Sequence, residues 1–262
     1  MKRIWILALA LLLIGFTGMA QAADGSWDAV KKAGKLVIGL DDSFPPMGFK
    51  QDDGKLVGFD IDAAEELGKR LGIKIEWQPT AWDGVILSLD SKKFDCIWNG
   101  MTITPERAEK VLFTKPYIMD GQIAVVKADS KVKGFAELGG KVIGVQKGSS
   151  AVEAVKKLPK APSEVKEYDA NPKAFLDLDA GRLAAVVIDN VSGRYFVSTN
   201  PGKYKVVPGF ITKEPFGIAF RKADKDLEAQ VQKTLDQMVA DGTMAKISKK
   251  WFGEDIANPK KW

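Results

Sequence analysis

The chain has 262 residues, no histidine, one cysteine and a formal net charge of +5. Without histidine it lacks the commonest general base and the commonest metal ligand, so a histidine-based catalytic triad or zinc site is excluded, and we expect neither a metal nor a cofactor. The lysines are scattered rather than clustered, which argues against nucleic acid as a partner.

The first residues predict a secretory signal peptide over residues 1–22. Lys2 and Arg3 precede an apolar run from Ile4 to Phe16, and Ala20-Gln21-Ala22 follows as a small-residue cleavage site. The alternative is a membrane anchor, which requires about 20 apolar residues, more than the 13 of this run. We therefore expect cleavage near Ala22 and a periplasmic location for the mature protein.

Strand-like and helical patterns alternate along the rest of the chain. The predicted strands cover residues 35–40, 73–77, 94–98, 141–145 and 184–188, and predicted helices start near Asp60, Val85, Thr104 and Ala151. This alternation is typical of α/β folds with doubly wound, mainly parallel sheets. Apolar runs at 122–126 and 216–220 bracket the second group of elements. The pattern therefore predicts an inserted second lobe at 119–213, between the two parts of the first lobe at 23–118 and 214–262.

Polar residues follow the predicted strands. In open α/β sheets ligands bind beyond the carboxyl ends of the strands, so these positions are candidates for a binding site. They include Asp41, Asn99, Gly100, Thr102, Gln146, Ser149, Ser150 and Asp189.

Arg107 is a further candidate because of its place in a predicted helix. Thr104 suits the N-cap and Pro105 the first helical position, so Arg107 falls in the first turn, where a cation opposes the helix dipole. Its planar guanidinium could hold a carboxylate with two hydrogen bonds. It could equally pair with a surface acid such as Glu106 or Glu109.

The remaining candidates also have two interpretations each. The turn at Ser149 and Ser150 could offer backbone N–H groups to an anion, and its serines could also cap the next helix, a role that is compatible with the first. Asp189 could bind an ammonium group or serve as a turn or cap residue. Phe44 and Trp82 lie in loops, where they could flank the apolar part of a ligand or pack into the core.

Taken together, these segments resemble the polar amino-acid-binding proteins of bacterial ABC uptake systems, in the solute-binding family 3 class. The matching segments are Asp41–Phe49, Gly58–Asp62, Trp82–Gly84, Gly100–Arg107, Gly144–Ser150, Ala185–Asp189 and Trp251–Gly253. The resemblance implies a two-lobed periplasmic-binding-protein fold of type II with a ligand cleft between the lobes. It also implies a monomer without enzymatic activity that closes on a free amino acid and delivers it to a membrane permease.

The resemblance assigns roles to the candidate residues. The α-carboxylate would be bound by Arg107, Thr102 and Ser150, and the α-ammonium by Asp189 and the carbonyl of Gly100. The ligand side chain would lie between Phe44 and Trp82, and its far end would meet Asp41, Asn99 and Gln146.

The charges of this inferred site favour a basic ligand. Asp41 and Asp189 contribute −2 and Arg107 contributes +1, so the empty site has a formal charge of −1. An acidic side chain would add an unpaired charge in a partly dry site, which is costly, whereas a cationic one would cancel the deficit. Arginine, lysine or ornithine is therefore expected first, and glutamate and aspartate last.

Some alternatives stay open at this point. Lys147 could face the cleft and neutralise Asp41, and Asp42 rather than Asp41 could face the ligand. Asn99 and Gln146 would also suit an amide or cystine, so glutamine and cystine are the next candidates. Gln146 differs, however, from the lysine that glutamine-binding members carry there. The alternative function is an enzyme on the same fold, of the cyclohexadienyl dehydratase kind.

Overall fold

The computed structural model describes residues 24–257, so the predicted signal peptide lies outside the described residues. The strands, in chain order, are β1 (Lys35–Leu40), β2 (Ser43–Phe44), β3 (Gly48–Lys50), β4 (Leu56–Val57), β5 (Lys74–Pro79), β6 (Cys96–Thr102), β7 (Val111–Phe113), β8 (Ile118–Asp120), β9 (Gln122–Lys127), β10 (Val142–Gln146), β11 (Glu164–Tyr168), β12 (Ala185–Asp189), β13 (Tyr204–Val206) and β14 (Glu214–Arg221). The helices are α1 (Ser26–Ala33), α2 (Phe59–Leu71), α3 (Val85–Asp90), α4 (Pro105–Lys110), α5 (Ala151–Val155), α6 (Asn171–Asp179), α7 (Asn190–Thr199), α8 (Lys225–Ala240) and α9 (Thr243–Phe252). Short 3-10 turns cover Trp82–Gly84 and Phe135–Leu138.

The first large sheet has the order β5-β1-β6-β14-β7, with β8 also paired to β14. β1 is parallel to β5 and β6, whereas β14 is antiparallel to β6, β7 and β8. All strands of this sheet except β14 therefore run in one direction. The carboxyl ends of β1 and β6 consequently lie at the same edge of the sheet. Asp41 follows β1, whereas Asn99 and Thr102 lie within β6, which extends beyond the predicted end at residue 98.

The second large sheet has the order β11-β10-β12-β9-β13. β10 is parallel to β11 and β12, and only β9 runs against its neighbours. These strands lie between residues 122 and 206, inside the predicted second lobe, and the first sheet is built from residues outside it except for Met119 and Asp120 of β8. The lobe boundaries themselves stay a prediction.

Alternating side chains explain why the second sheet is covered on both faces. Ala124 and Val126 belong to one buried cluster, while Ile123 and Val125 belong to another. Because successive side chains of a strand point to opposite faces, the apolar run of β9 packs against helices on both sides. This is the doubly wound arrangement that the sequence predicts.

Amphipathic helices cover the first sheet. In α8 the buried residues are Leu227, Val231, Thr234, Leu235 and Met238. Four of these residues are apolar, Leu227, Val231, Leu235 and Met238, and they recur at helical spacing. The helix therefore buries one apolar stripe and leaves charged residues outside. Within residues 24–257 none of the helices has the length and apolarity needed to cross a membrane.

Two local features differ from the sequence prediction. The helix predicted from Ala151 to about Leu158 ends at Val155. The three-stranded sheet β2-β3-β4 is not predicted at all, because strands of two or three residues are too short to show a periodic pattern.

Candidate ligand-binding site

A pocket with an empty volume of about 270 Å³ lies between the two large sheets. All the residues proposed from the sequence line it. They are Asp41, Phe44, Trp82, Asn99, Gly100, Thr102, Arg107, Gln146, Ser149, Ser150 and Asp189. The structure thus brings together residues that are up to 148 positions apart in the sequence, and it does so at the strand ends where the rule for open sheets places ligands.

Asp41 forms one end of the pocket and is only 8% exposed. Its Oδ1 accepts hydrogen bonds from the backbone N (2.9 Å) and the hydroxyl (2.6 Å) of Ser43, and its Oδ2 accepts one from Nε2 of Gln146 (2.6 Å). Burial raises the pKa of Asp41, while these hydrogen bonds lower it. Among residues 24–257, no lysine or arginine forms an ion pair with this carboxylate. It is therefore a buried acid that is hydrogen-bonded but lacks a cation.

Two neighbours that could have changed this end of the pocket point elsewhere. Lys147 forms an ion pair with Asp83 (2.9 Å) and its side chain is 53% exposed. Asp42 forms an ion pair with Lys50 (2.6 Å) at the surface. Asp41 therefore keeps its charge unopposed, and it is Asp41, not Asp42, that lines the pocket.

Gln146 and Asn99 hold Asp41 from two sides. Oδ1 of Asn99 accepts a hydrogen bond from the backbone N of Asp41 (3.1 Å). Oε1 of Gln146 accepts one from Nδ2 of Asn171 (3.2 Å), so its Nε2 must face Asp41. Because Asp41 follows β1 of the first sheet and Gln146 ends β10 of the second, this contact joins the two halves of the molecule.

Gly100 lies at the middle of the pocket in a conformation that requires glycine. Its φ is +57°, and an added Cβ would lie 2.8 Å from Cε1 of Phe44. Its backbone N donates to Oδ2 of Asp60 (2.8 Å), which also accepts from the hydroxyl of Tyr117 (3.1 Å), while Nε1 of Trp98 donates to Oδ1 (3.0 Å). Burial raises the pKa of Asp60 to about 7. Asp60 thus holds the backbone of Gly100 in place by accepting this hydrogen bond.

Arg107 lies in the first helical turn, as predicted. Its backbone N donates to Oγ1 of Thr104 (3.1 Å), which caps the helix, and Pro105 is the first helical residue. Its Nη1 donates to the carbonyl of Thr102 (2.9 Å) and its Nη2 to the carbonyl of Gly148 (3.1 Å). The guanidinium therefore reaches from one half of the molecule to the other.

The surface ion pair considered for Arg107 is not formed. Glu106 pairs with Lys110 instead (2.7 Å), and within residues 24–257 Glu109 makes no ion pair with Arg107. The guanidinium lies 5.7 Å from the ring centroid of Trp82. This is the range in which a cation is attracted to an aromatic face, so Trp82 helps to hold the guanidinium at the pocket.

Ser150 is not a helix cap in this structure. It occupies the N-cap position of α5 without a side-chain capping bond, and its Oγ lies 3.2 Å from Oγ1 of Thr102. Ser149 donates from its hydroxyl to the carbonyl of Gln146 (2.7 Å), which stabilises the turn. The capping interpretation of Ser150 is therefore wrong, and its hydroxyl faces the pocket.

Asp189 closes the end of the pocket next to Arg107. It precedes α7 but makes no capping bond with its side chain, and its Oδ1 accepts a hydrogen bond from Nε2 of Gln122 (2.7 Å). Burial raises the pKa of Asp189 well above its usual range, the carboxylates of Asp120 and Glu214 raise it further, and Arg107 and Gln122 lower it. This end therefore combines a guanidinium with a group of carboxylates.

Several residues around the pocket were not singled out from the sequence. Gln122, Asn171 and Asp60 each bond a pocket residue without lining the pocket themselves. Gln122 carries a weak signal, because it is a polar residue at the start of an otherwise apolar run. Asp60 lies in the family-like segment Gly58–Asp62 but was given no role there, and Asn171 carries no signal beyond its polarity, since its partner Gln146 is distant in the sequence.

The fold and the site define a class of protein. Two α/β halves enclose a small polar pocket lined by residues of opposite charge, as expected of a two-lobed solute-binding protein. They are joined by two segments, residues 118–122 and 212–216, that run antiparallel to each other. The chain matches the bacterial extracellular solute-binding proteins, family 3, over residues 36–254, and it belongs to this family. Its fold is therefore the two-lobed type II fold that the sequence predicts.

Relatives of this chain bind amino acids. It is 35% identical over 253 residues to the L-cystine-binding protein TcyJ of Escherichia coli strain K12, and the aligned region covers 96% of this chain and 94% of that protein. It is 35% identical over 250 residues to the ABC transporter arginine-binding protein 1 of the same strain, covering 94% and 98%. It also resembles the crystal structure of the ancestral amino acid-binding protein AncCDT-1, a precursor of cyclohexadienyl dehydratase (TM-score 0.80, 41% identity, 86% and 98% covered).

Proposed function

We propose that this protein is the periplasmic binding component of an amino-acid ABC transporter, and that it captures a basic amino acid and delivers it to the membrane permease. Membership of the family and the two amino-acid-binding relatives from Escherichia coli support the class of function. In this proposal the protein is a monomer, is exported by its signal peptide and performs no chemistry on the ligand.

One end of the pocket suits the α-groups of any amino acid. Arg107 would hold the α-carboxylate together with the hydroxyls of Thr102 and Ser150, which lie 3.2 Å apart. Asp189 and the carbonyl of Gly100 would accept hydrogen bonds from the α-ammonium. Because the α-groups have no net charge, this end does not decide which side chain is bound.

The observation that carries the choice of a basic ligand is the unpaired carboxylate of Asp41. Burying a charge without a partner is costly, and the two hydrogen-bonding residues Ser43 and Gln146 offset this cost only in part. A guanidinium or ammonium group at the end of the ligand side chain would supply the missing cation. Arginine, lysine and ornithine all carry such a group at the required end.

Glutamine and cystine are the runners-up. The amide of glutamine could donate to Asp41, but it would leave the carboxylate without a counter-ion. Cystine would bring a second α-ammonium that could pair with Asp41, but also a second α-carboxylate, for which Lys147 is already paired with Asp83 and Nε2 of Gln146 already donates to Asp41. Glutamate and aspartate rank last, because each would set two carboxylates side by side.

The enzymatic alternative is not favoured. Both named relatives from Escherichia coli are binding proteins, and AncCDT-1 is itself an amino acid-binding protein although it precedes a dehydratase. In our proposal Arg107 and Asp189 bind the α-groups, which leaves Asp41 as the acid that a proton transfer would have to use. Incubation with prephenate or arogenate tests this alternative, and we expect no turnover above background.

Calorimetric titration is the test of the proposed ligand class. Protein stripped of ligand by unfolding and refolding would be titrated with arginine, lysine, ornithine, glutamine, cystine and glutamate. We expect the basic amino acids to bind most tightly. Asp41→Asn should weaken their binding much more than it weakens the binding of glutamine. The adjacent Asp42→Asn is the matched control, because Asp42 pairs with Lys50 at the surface. Tight glutamate binding, or an arginine affinity that Asp41→Asn leaves unchanged, would contradict the proposal.

A further inference from the structure

Gln122 lies directly behind the pocket without lining it. Its side chain is fully buried, and its Nε2 donates to two pocket residues, to Oγ of Ser150 (3.1 Å) and to Oδ1 of Asp189 (2.7 Å). Ser150 stands at the end of the pocket beside Thr102, and Asp189 stands beside Arg107. One amide group thus connects the side proposed for the α-carboxylate with the side proposed for the α-ammonium.

The backbone keeps this amide in a fixed place. Gln122 is opposite Asp189 in the antiparallel pair β9–β12, and its backbone N donates to the carbonyl of Thr212 in the returning segment (3.1 Å). The preceding Gly121 approaches Thr212 so closely that an added Cβ would lie 2.0 Å from that carbonyl oxygen. The side chain therefore starts from a rigid point where the two segments that join the lobes pass each other.

The chemistry of the amide fixes its orientation. The nitrogen of a glutamine side chain carries two hydrogens and only donates, whereas its oxygen only accepts. The reversed orientation would place Oε1 against the carboxylate of Asp189, so that two acceptors would face each other. The orientation with Nε2 toward Asp189 and Ser150 is therefore the one that satisfies both neighbours.

This orientation decides what the two neighbours can offer to a ligand. Ser150 Oγ accepts from Gln122, so its single proton is left to be donated to Thr102 or to an oxygen of the ligand. Asp189 uses Oδ1 to accept from Gln122 and keeps acceptor capacity for an ammonium group. The same amide therefore leaves the Ser150 hydroxyl free to donate to the ligand, and it favours the ionised form of Asp189, which only accepts.

We propose that Gln122 is a positioning residue that selects α-amino acids, by directing the Ser150 hydroxyl toward the ligand carboxylate and the Asp189 carboxylate toward the ligand ammonium. This inference rests on the proposed function only as far as the ligand is an α-amino acid, and not on which one it is. Oε1 of Gln122 is buried with no hydrogen-bond partner among the described residues. A buried acceptor without a partner is unfavourable, so the residue is better explained by its two donated bonds than by stability.

The test compares arginine with two analogues that each lack one α-group. Agmatine lacks the α-carboxylate, and the hydroxy-acid analogue of arginine lacks the α-ammonium. Gln122→Met keeps the length of the side chain but cannot donate, and we expect it to weaken arginine binding at least tenfold. Each analogue should lose less affinity than arginine does. Agmatine has no α-carboxylate for Ser150 to bind, and the hydroxy acid has no α-ammonium for Asp189 to bind. An equal loss for all three ligands, or no loss for arginine, would overturn the proposal.

Two further variants guard against a general effect on folding. Gln122→Glu replaces the donor by an acceptor next to Asp189, so we expect a larger loss of arginine affinity than with Gln122→Met. Ser192→Ala is the matched control, because Ser192 is fully buried near Asp189 and its hydroxyl has no partner among the described residues. It should leave the affinities for all three ligands unchanged. Equal losses in Ser192→Ala and Gln122→Met would also overturn the proposal.

A ligand-free measurement separates this inference from the proposed function. The carboxyl ¹³C shift of Asp189 would be followed against pH in the unliganded protein. Gln122 lowers the pKa of Asp189 by donating to its carboxylate, so Gln122→Met should raise that pKa. If no amino acid binds the wild-type protein, the proposed function fails. This titration would still test whether the hydrogen bond from Gln122 acts on the carboxylate of Asp189. An unchanged titration refutes the role of Gln122 even if arginine binds.

Discussion

The two ends of the pocket differ in how their charges are balanced. At the end formed by Arg107, Asp189 and Ser150, a cation and an acid lie close together, and hydrogen bonds run from Thr102 through Ser150 and Gln122 to Asp189. At the other end, the carboxylate of Asp41 is buried among neutral donors. The first end thus suits a group that is positive on one side and negative on the other, whereas in our proposal the second end suits a cation.

In our proposal this difference explains how one family could bind different amino acids. The end at Arg107 and Asp189 would meet the part that all α-amino acids share, so it could stay the same when the ligand changes. The end at Asp41 would meet the side chain, so its charge would decide the preference. Phe44 and Trp82 lie between the two ends and are both buried. Their apolar faces suit the methylene groups of a long side chain.

The largest effect is expected at the end that meets the α-groups. Arg107→Ala should abolish binding of arginine and glutamine alike, because a buried charge pair is worth on the order of 2 to 5 kcal/mol. The fold should stay intact, and Arg107→Lys should recover only part of the affinity, since lysine lacks the planar fork. Calorimetry checks this, and an affinity within threefold of wild type would contradict the assignment of Arg107.

Asp120, a buried acid near Asp189, is expected to affect the stability of the fold. Burial raises the pKa of Asp120, so above the usual carboxyl range the folded state holds a proton that the unfolded state has lost. The resulting stabilisation is complete at low pH and disappears as the pH rises through the folded-state pKa. Each unit of this elevation corresponds to about 1.4 kcal/mol.

Asp120→Asn should therefore flatten the dependence of the melting temperature on pH. The wild-type melting temperature is expected to fall more steeply between pH 5 and pH 8 than that of the variant. Asp236→Asn is the control, because Asp236 is exposed and pairs with Lys115. If wild type and Asp120→Asn have parallel profiles, Asp120 is not a buried acid of this kind, and the acidic group behind Asp189 loses one member.

Lowering the pH should weaken the binding of arginine more than the binding of glutamine. Burial raises the pKa of Asp41, so this acid takes up a proton at a higher pH than an ordinary aspartate does. A cationic ligand needs the ionised form, and its affinity can fall by at most about tenfold per pH unit below that pKa. The ratio of arginine affinity to glutamine affinity should therefore decrease from pH 8 to pH 5. In Asp41→Asn the ratio should no longer depend on pH, and a persistent dependence would assign it to another group.

The smallest effect is expected from a contact that touches neither end. Lys147 and Asp83 form a partly exposed ion pair across the mouth of the pocket, and such pairs contribute about 0 to 1 kcal/mol. Lys147→Ala should weaken arginine and glutamine by the same small factor, because it acts on closure rather than on a ligand group. Lys156→Ala, which removes a pair within α5 and its flank, should change neither affinity. Unequal losses for the two ligands would show that Lys147 acts on the pocket itself.

The sequence by itself determined which segments meet at the site. The strands are apolar runs and the residues after them are polar, and parallel strands bring their carboxyl ends to one edge of a sheet. Asp41 and Asn99 could therefore be placed at one edge from the strand pattern, whereas Gln146, which lies in the other sheet, was grouped with them only by the family resemblance. The cap at Thr104 was also predictable, because it depends only on residues three positions apart.

Only the tertiary structure decided the direction of each side chain. Ser150 was predicted to bind an anion through its backbone or to cap a helix, and its side chain instead turns to Thr102, 48 residues away. The same holds for Lys147, which turns to Asp83, and for Gln122, whose partner Asp189 is 67 residues away. Local patterns fix the path of the backbone, but a polar side chain turns toward whichever partner the packing of distant segments brings within hydrogen-bond distance.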